Sequence, residues 1–138
     1  MMIANNHPFL RFSRKETSRT IRSVLRGERR SSVALTVVFT HHGYMRRLNK
    51  QFLKHDYSTD VIAFSVDEES GFDGEIYVNL DKVRSQARHY GVAYGNETMR
   101  LLIHGTLHLL GYVDKTKAQK ATMKKKEDYY LEKLGERA

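Results

Sequence analysis

Hydrophobic positions recur along the chain in two periods. Residues 33–40 alternate, with Val33, Leu35, Val37 and Phe39 on one side, the period-two pattern of a half-buried strand. Residues 61–66 and 75–79 are short runs of β-branched and aromatic character, and the acidic, glycine-bearing stretch 67–74 between them predicts a hairpin. Elsewhere the period lengthens to that of a helix. Ile21, Val24 and Leu25 share one face of a helix over 15–28, and Met45, Leu48 and Phe52 share one over 42–53. Val83, Ala87 and Tyr90 mark a buried face of a helix that Asn79 or Asp81 caps and Gly91 stops. Met123, Tyr130, Leu131 and Leu134 line one over 117–134. Residues 1–14, with Pro8, read as an extended lead or an edge strand. The order is helix, strand, helix, strand, strand and three helices. It predicts an α+β fold, a small mixed sheet with packed helices that supports a helix near the C-terminus.

That helix carries the candidate chemistry. The run Leu101-Leu102-Ile103-His104-Gly105-Thr106-Leu107-His108-Leu109-Leu110 is almost wholly apolar apart from its two imidazoles, so the helix it predicts is buried. Asn96 is the expected N-cap, with Glu97 in the first turn. His104 and His108, four residues apart, lie on one face a turn apart, where one divalent cation can touch both. Gly111 can adopt the left-handed conformation that ends a helix, which would swing Asp114 back toward them. Two neutral imidazoles and a carboxylate, with a fourth position open, suit zinc, and iron, nickel or manganese accept the same donors. The alternative is a pair of core histidines satisfied by hydrogen bonds. Glu97, seven residues before His104, shares its helix face and is placed either to orient an imidazole or a bound water or simply to complement the helix dipole. No general base is named by the sequence; Glu97 and Asp60 are the candidates for a base or supporting role, the alternative for Asp60 being that it only shapes the entry to a strand. His41 and His42 read as the start of a helix rather than as ligands.

Composition narrows the class. With 138 residues, 40% of them hydrophobic, the chain is expected to form one domain spanning 1–138. It has no cysteine, which excludes disulfides and thiolate metal sites. Lysine and arginine number 24 against 16 acids, and a formal net charge of +8 favours a polyanionic partner such as RNA or DNA over a merely soluble basic protein. No run approaches the roughly eighteen apolar residues of a membrane span, and the N-terminus lacks the apolar core of a signal peptide, so a cytoplasmic protein without membrane attachment is expected. His-Gly-x-x-His also lacks the glutamate that serves as base in His-Glu-x-x-His metalloproteases, which argues against peptide hydrolysis.

Three blocks bear a resemblance to a known family. His104-Gly105-Thr106-Leu107-His108-Leu109-Leu110-Gly111-Tyr112, Thr59-Asp60-Val61-Ile62-Ala63-Phe64 and Gly74-Glu75-Ile76, supported by Leu48-Asn49, Glu97 and Leu134-Gly135, resemble the YbeY family of bacterial endoribonucleases over residues 33–134. The resemblance implies a zinc-dependent endoribonuclease specific for single strands. It also implies a role in 3′-end maturation of small-subunit ribosomal RNA and in ribosome quality control, with ribosomal RNA and the small ribosomal subunit as partners. It makes His104 and His108 metal ligands. Where the family has a third histidine this chain has Asp114, an exchange that preserves three donors and an open position but lowers the net positive charge at the metal. Where the family places an arginine after Leu-Asn, this chain has Leu53, which cannot bind phosphate. Arg46, Arg47, Lys50 and Lys54 are the nearby cations available to RNA. Loss of that arginine keeps open a non-catalytic, metal-stabilised RNA-binding or ribosome-binding factor, and a hydrolase acting on a small molecule is a weaker alternative.

Overall fold

The computed structural model describes residues 1–30, 34–55, 57–67 and 73–135, the side chains of Val66 and Asp67 excepted. Val33 and most of the expected hairpin connection lie outside the described residues. In chain order the elements are β1 (Met2–Asn5), α1 (Arg14–Gly27), β2 (Leu35–Thr40), α2 (His42–Leu53), β3 (Val61–Asp67), β4 (Asp73–Asn79), α3 (Leu80–Tyr90), α4 (Tyr94–Leu109) and α5 (Lys117–Lys133). The strands form one mixed sheet in the order β1-β2-β4-β3, with β1, β2 and β4 parallel and β3 antiparallel to β4. The expected hairpin is therefore the β3–β4 pair, and the N-terminal lead is a parallel edge strand.

Alternation assigns the two faces. Leu35, Val37 and Phe39 of β2 and Ile76 and Val78 of β4 point to the side where Ile21 and Leu25 of α1, Val83 of α3 and Leu102 of α4 close the main core. Residues of opposite parity, Ile62 and Tyr77, face the other way and pack with Met45 and Leu48 of α2. The histidine helix α4 thus lies on one face of the sheet and α2 on the other. Gly105, between the two histidines, allows α4 to lie close to the strands, because a Cβ there would stand 3.0 Å from Ile76 Cγ2 and 3.3 Å from Val61 Cγ2. A second apolar cluster joins Val24 of α1, Met99, Ile103 and Leu107 of α4 and Met123, Tyr130 and Leu131 of α5. With neighbours on all these sides, α4 is the buried centre of the protein.

Local signals set several boundaries as expected. Asn79 caps α3 by accepting from the Asp81 and Lys82 amides, and Gly91 ends it at φ 67°. His41 caps α2 by accepting from the Tyr44 amide. The His42 ring meets Ser58 and Asn79 at 3.1 and 2.9 Å, so both histidines serve the start of this helix. Three expectations require correction. Asn96 is not the N-cap of α4: the helix begins at Tyr94, Ala93 precedes it without a side-chain cap, and Asn96 is buried in the first turn. Phe52 and Tyr90 are 56% and 64% exposed rather than core residues. Helical period assigns a residue to a face, but it does not say how far along that face the neighbouring element extends.

The N-terminal segment is anchored by a buried histidine that the hydrophobic pattern did not single out. His7 Nδ1 accepts from the Phe9 and Leu10 amides, so its proton sits on Nε2 and is donated to Asp81 at 2.9 Å. Asp81 also accepts from the His42 amide. One carboxylate at the start of α3 therefore ties β1 and α2 together.

Candidate active site

After α4 the chain reverses through Gly111, at φ 103°, with Gly111 and Tyr112 amides donating to the His108 and Leu107 carbonyls. A capping box in which Gln119 and Thr116 exchange hydrogen bonds fixes the entrance to α5. Asp114 lies between these two anchors and faces the histidines, as the glycine stop predicts. His104 Nε2 and His108 Nε2 are 2.9 Å apart, and Asp114 carboxylate oxygens lie 3.3 Å from the first and 3.5 Å from the second. Among the described residues these three form the cluster whose ligand atoms all lie within 4.8 Å of one another.

Hydrogen bonds to the opposite ring nitrogens decide what the cluster can hold. His108 Nδ1 is 2.8 Å from the Tyr112 carbonyl, which only accepts, so the proton of the neutral ring is on Nδ1. His104 Nδ1 is 2.6 Å from Glu127 Oε2 and donates to it likewise. Both neutral rings therefore present Nε2 lone pairs to the same point, beside a carboxylate. Such an arrangement requires a cation between the donors, a proton or a metal ion, and its nitrogen and oxygen donors match a divalent transition metal. Burial disfavours a charged His104, but the hydrogen bond and charge of Glu127, with the charges of Asp114 and Asp60, outweigh it and raise the imidazole pKa. The same acidic surroundings that attract a proton attract a metal.

Glu127 is the orienting carboxylate, and sequence reasoning missed it. Its second oxygen accepts from Arg100 Nη1 at 2.8 Å, while Arg100 Nη2 binds Asp128 at 2.7 Å. One signal could have found it: Glu127 is four residues from both Met123 and Leu131, an acid within the apolar stripe of α5, and acids are rarely buried unless partnered. Glu127→Gln should lower metal affinity about 10- to 100-fold with the fold retained, as measured by competition with a chromophoric chelator.

Glu97 shares the α4 face with His104 but does not bond to it. Its carboxylate accepts from Gln86 Nε2 at 2.7 Å, and the same amide nitrogen lies 3.4 Å from Asp60 Oδ2. Burial raises the Glu97 pKa, against the opposing effects of the Gln86 hydrogen bond and the Arg100 charge. Glu97, Gln86, Asp60, His104, Asp114 and Glu127 border one cavity of about 540 Å³, with Lys120 and Lys124 also on its lining. Of the cations expected to meet RNA, Arg46, Arg47 and Lys50 border a separate hollow with Gly43 on α2, and Lys54 follows that helix in the left-handed conformation. These four are thus not gathered at the histidine site. Leu53 is exposed.

Comparison with known proteins identifies the family. A family model, that of endoribonuclease YbeY, matches residues 2–135. The chain belongs to this family. It is 40% identical to the endoribonuclease YbeY of Chlorobaculum tepidum, an alignment that covers 83% of each chain. It is 35% identical to that of Salinibacter ruber over 95% of this chain and 89% of the relative. Its fold is similar to the solution structure of TM1509 from Thermotoga maritima, with a TM-score of 0.63, 25% identity, and coverage of 96% of this chain and 90% of that one. Among the described residues no helix is long and apolar enough to cross a membrane.

Proposed function

We propose that this protein is a metal-dependent endoribonuclease that cuts single-stranded RNA. Its substrate is ribosomal RNA of the small subunit in 3′-end maturation and quality control, in the cytoplasm, with one zinc ion per chain. The observation that carries the reading is the convergence of His104 Nε2, His108 Nε2 and Asp114 beside a cavity that His104 and Asp114 line together with two lysines. Names borne by relatives 35–40% identical supply the reaction class, and the net charge of +8 supplies the attraction to a polyanion.

His104, His108 and Asp114 would hold the metal, with Glu127 and the Tyr112 carbonyl fixing the two rings. A metal bound there supplies Lewis acidity, polarising a phosphoryl oxygen or lowering the pKa of a water molecule. Lys120 and Lys124 neutralise phosphate charge as the strand enters, and the cavity confines the nucleotide next to the scissile bond. The cations of α2 lie on the far face of the sheet, where they extend the electrostatic footprint. Glu97, which accepts from Gln86, and Asp60, which accepts from the Val61 amide at 2.7 Å, each keep oxygen lone pairs for a further donor at the cavity.

Purified protein should cleave single-stranded RNA but leave the same sequence intact as a duplex, and a chelator should stop cleavage until zinc is restored. RNA binding without metal-dependent cleavage would reduce the protein to a binding factor. A second check concerns the third ligand. Asp114→His should keep or strengthen metal binding and Asp114→Ala should weaken it; equal affinity in both variants would remove Asp114 from the ligand set.

A further inference from the structure

The lining of the cavity beside His104 combines two chemical characters. Exposed Lys120 and Lys124, the latter paired with Asp128 at 3.2 Å, lie on the α5 side and offer positive charge to a phosphate. The same cavity is also lined by Glu97, Gln86 and Asp60, a joined cluster whose carboxylates repel phosphate. Glu97 is only 4% exposed. Gln86 directs its amide nitrogen at the carboxylates of Glu97 and Asp60, so both N–H donors are spent within the cluster. These three side chains are left with oxygen acceptors to offer an occupant. Tyr90, which helical spacing assigns to the core, instead lies exposed at the same cavity, its ring in edge contact with the His89 ring at 5.2 Å and able to offer a face to a flat ligand.

We propose that this cavity receives the base of the nucleotide flanking the scissile phosphate, and that its acceptor cluster selects guanine. This deepens the nuclease reading above and rests on it. Guanine presents a ring N–H and an exocyclic amino group side by side, the donor pair that a carboxylate accepts. Adenine and cytosine set an acceptor nitrogen beside their single amino group, which would face Glu97 oxygen to oxygen-like lone pair. Uracil flanks its one N–H with two carbonyl oxygens. The mixed charge of the site therefore divides the nucleotide: phosphate at the lysines and metal ligands, base at Glu97, ring face on Tyr90. Volume is not restrictive, since about 540 Å³ falls within the range of small-molecule pockets.

Calorimetric titration of the metal-loaded protein with ribonucleoside 5′-monophosphates tests this without cleavage, because mononucleotides contain no phosphodiester bond to cut. Guanosine monophosphate should bind about tenfold or more tighter than the adenosine, cytidine and uridine monophosphates. Inosine monophosphate, which lacks only the exocyclic amino group, should bind about tenfold more weakly than guanosine monophosphate, a factor typical of one hydrogen bond to a charged acceptor. Glu97→Gln should erase the guanine preference, and Tyr90→Ala should weaken all four nucleotides about tenfold through lost stacking. Equal binding of the four wild-type ligands, or a guanine preference that survives Glu97→Gln, overturns the proposal. If Glu97→Gln does not fold, the wild-type ratio of guanosine to inosine monophosphate decides alone. Cleavage of single-stranded RNA by a protein that binds all four alike would retain the nuclease and discard the pocket. A guanine preference in a protein that cuts nothing would do the reverse.

Discussion

His104→Ala should abolish stoichiometric metal binding and reduce single-strand cleavage by more than about a hundredfold, beyond what loss of a supporting partner costs. Three connections break together. The substitution removes one of the two Nε2 donors, leaves Asp114 with a single imidazole beside it, and deprives Glu127 Oε2 of its partner at 2.6 Å. Arg100 still neutralises Glu127 at 2.8 Å, so the buried carboxylate is not abandoned and the fold should survive. Circular dichroism of wild type and variant, both stripped of metal, should therefore superimpose, with melting temperatures within a few degrees. Metal analysis and cleavage should separate them sharply. Cleavage by His104→Ala at the wild-type rate would exclude the triad from the chemistry.

Glu28→Gln should produce the largest stability loss among polar substitutions. Glu28 follows α1 and accepts from the Tyr112 hydroxyl at 2.6 Å, from Lys126 Nζ at 3.0 Å and from the Tyr130 hydroxyl. Tyr130 is fully buried, and its ring lies against Gly27, where any side chain would collide with it. Hydrogen bonds to charged groups contribute about 1.5–3 kcal/mol each, and a neutral amide retains part of them. A loss of about 3 kcal/mol is expected, read as a fall of about 10 °C in melting temperature for a chain of this size. The pH dependence has a definite sign. Burial works to raise the Glu28 pKa, but the two tyrosines and Lys126 outweigh it and hold the carboxyl below its ordinary value. A carboxylate whose pKa is lower when folded stabilises fully above its ordinary pKa, about 4.5, and loses that contribution as pH falls through the folded value. The difference in stability between wild type and Glu28→Gln should thus be constant near neutrality and shrink in acid. A difference that grows in acid would contradict the assignment. Because the Tyr112 carbonyl holds His108, the variant should also bind metal more weakly.

The helices, strands and hairpin were readable because each is coded by neighbours in the chain. Alternation marked β2, a glycine stop ended α3, and the spacing of His104 and His108 placed two donors on one face. Asp114 was reachable for the same reason, since a single glycine turn separates it from the helix. Glu127 lies 23 residues from His104 and meets it only because α5 packs back on α4. Periodicity places Glu127 on the inner face of α5 but cannot say which residue of α4 stands opposite.

The charged residues divide along the same line. Composition favoured a polyanion partner without saying which of several basic helices lies near the histidines. The folded chain puts Arg46, Arg47 and Lys50 beyond the sheet and Lys120 and Lys124 at the cavity, because α2 and α5 cover opposite sides of the layer. By itself, then, the sequence determined the element types, the family and three convergent side chains able to hold a metal, all expressed through local geometry or an unbroken motif. Only the tertiary structure decided which carboxylate steadies the imidazole, which lysines line the cavity, and that Tyr90 and Glu97 share it, because those pairings depend on how separate elements pack.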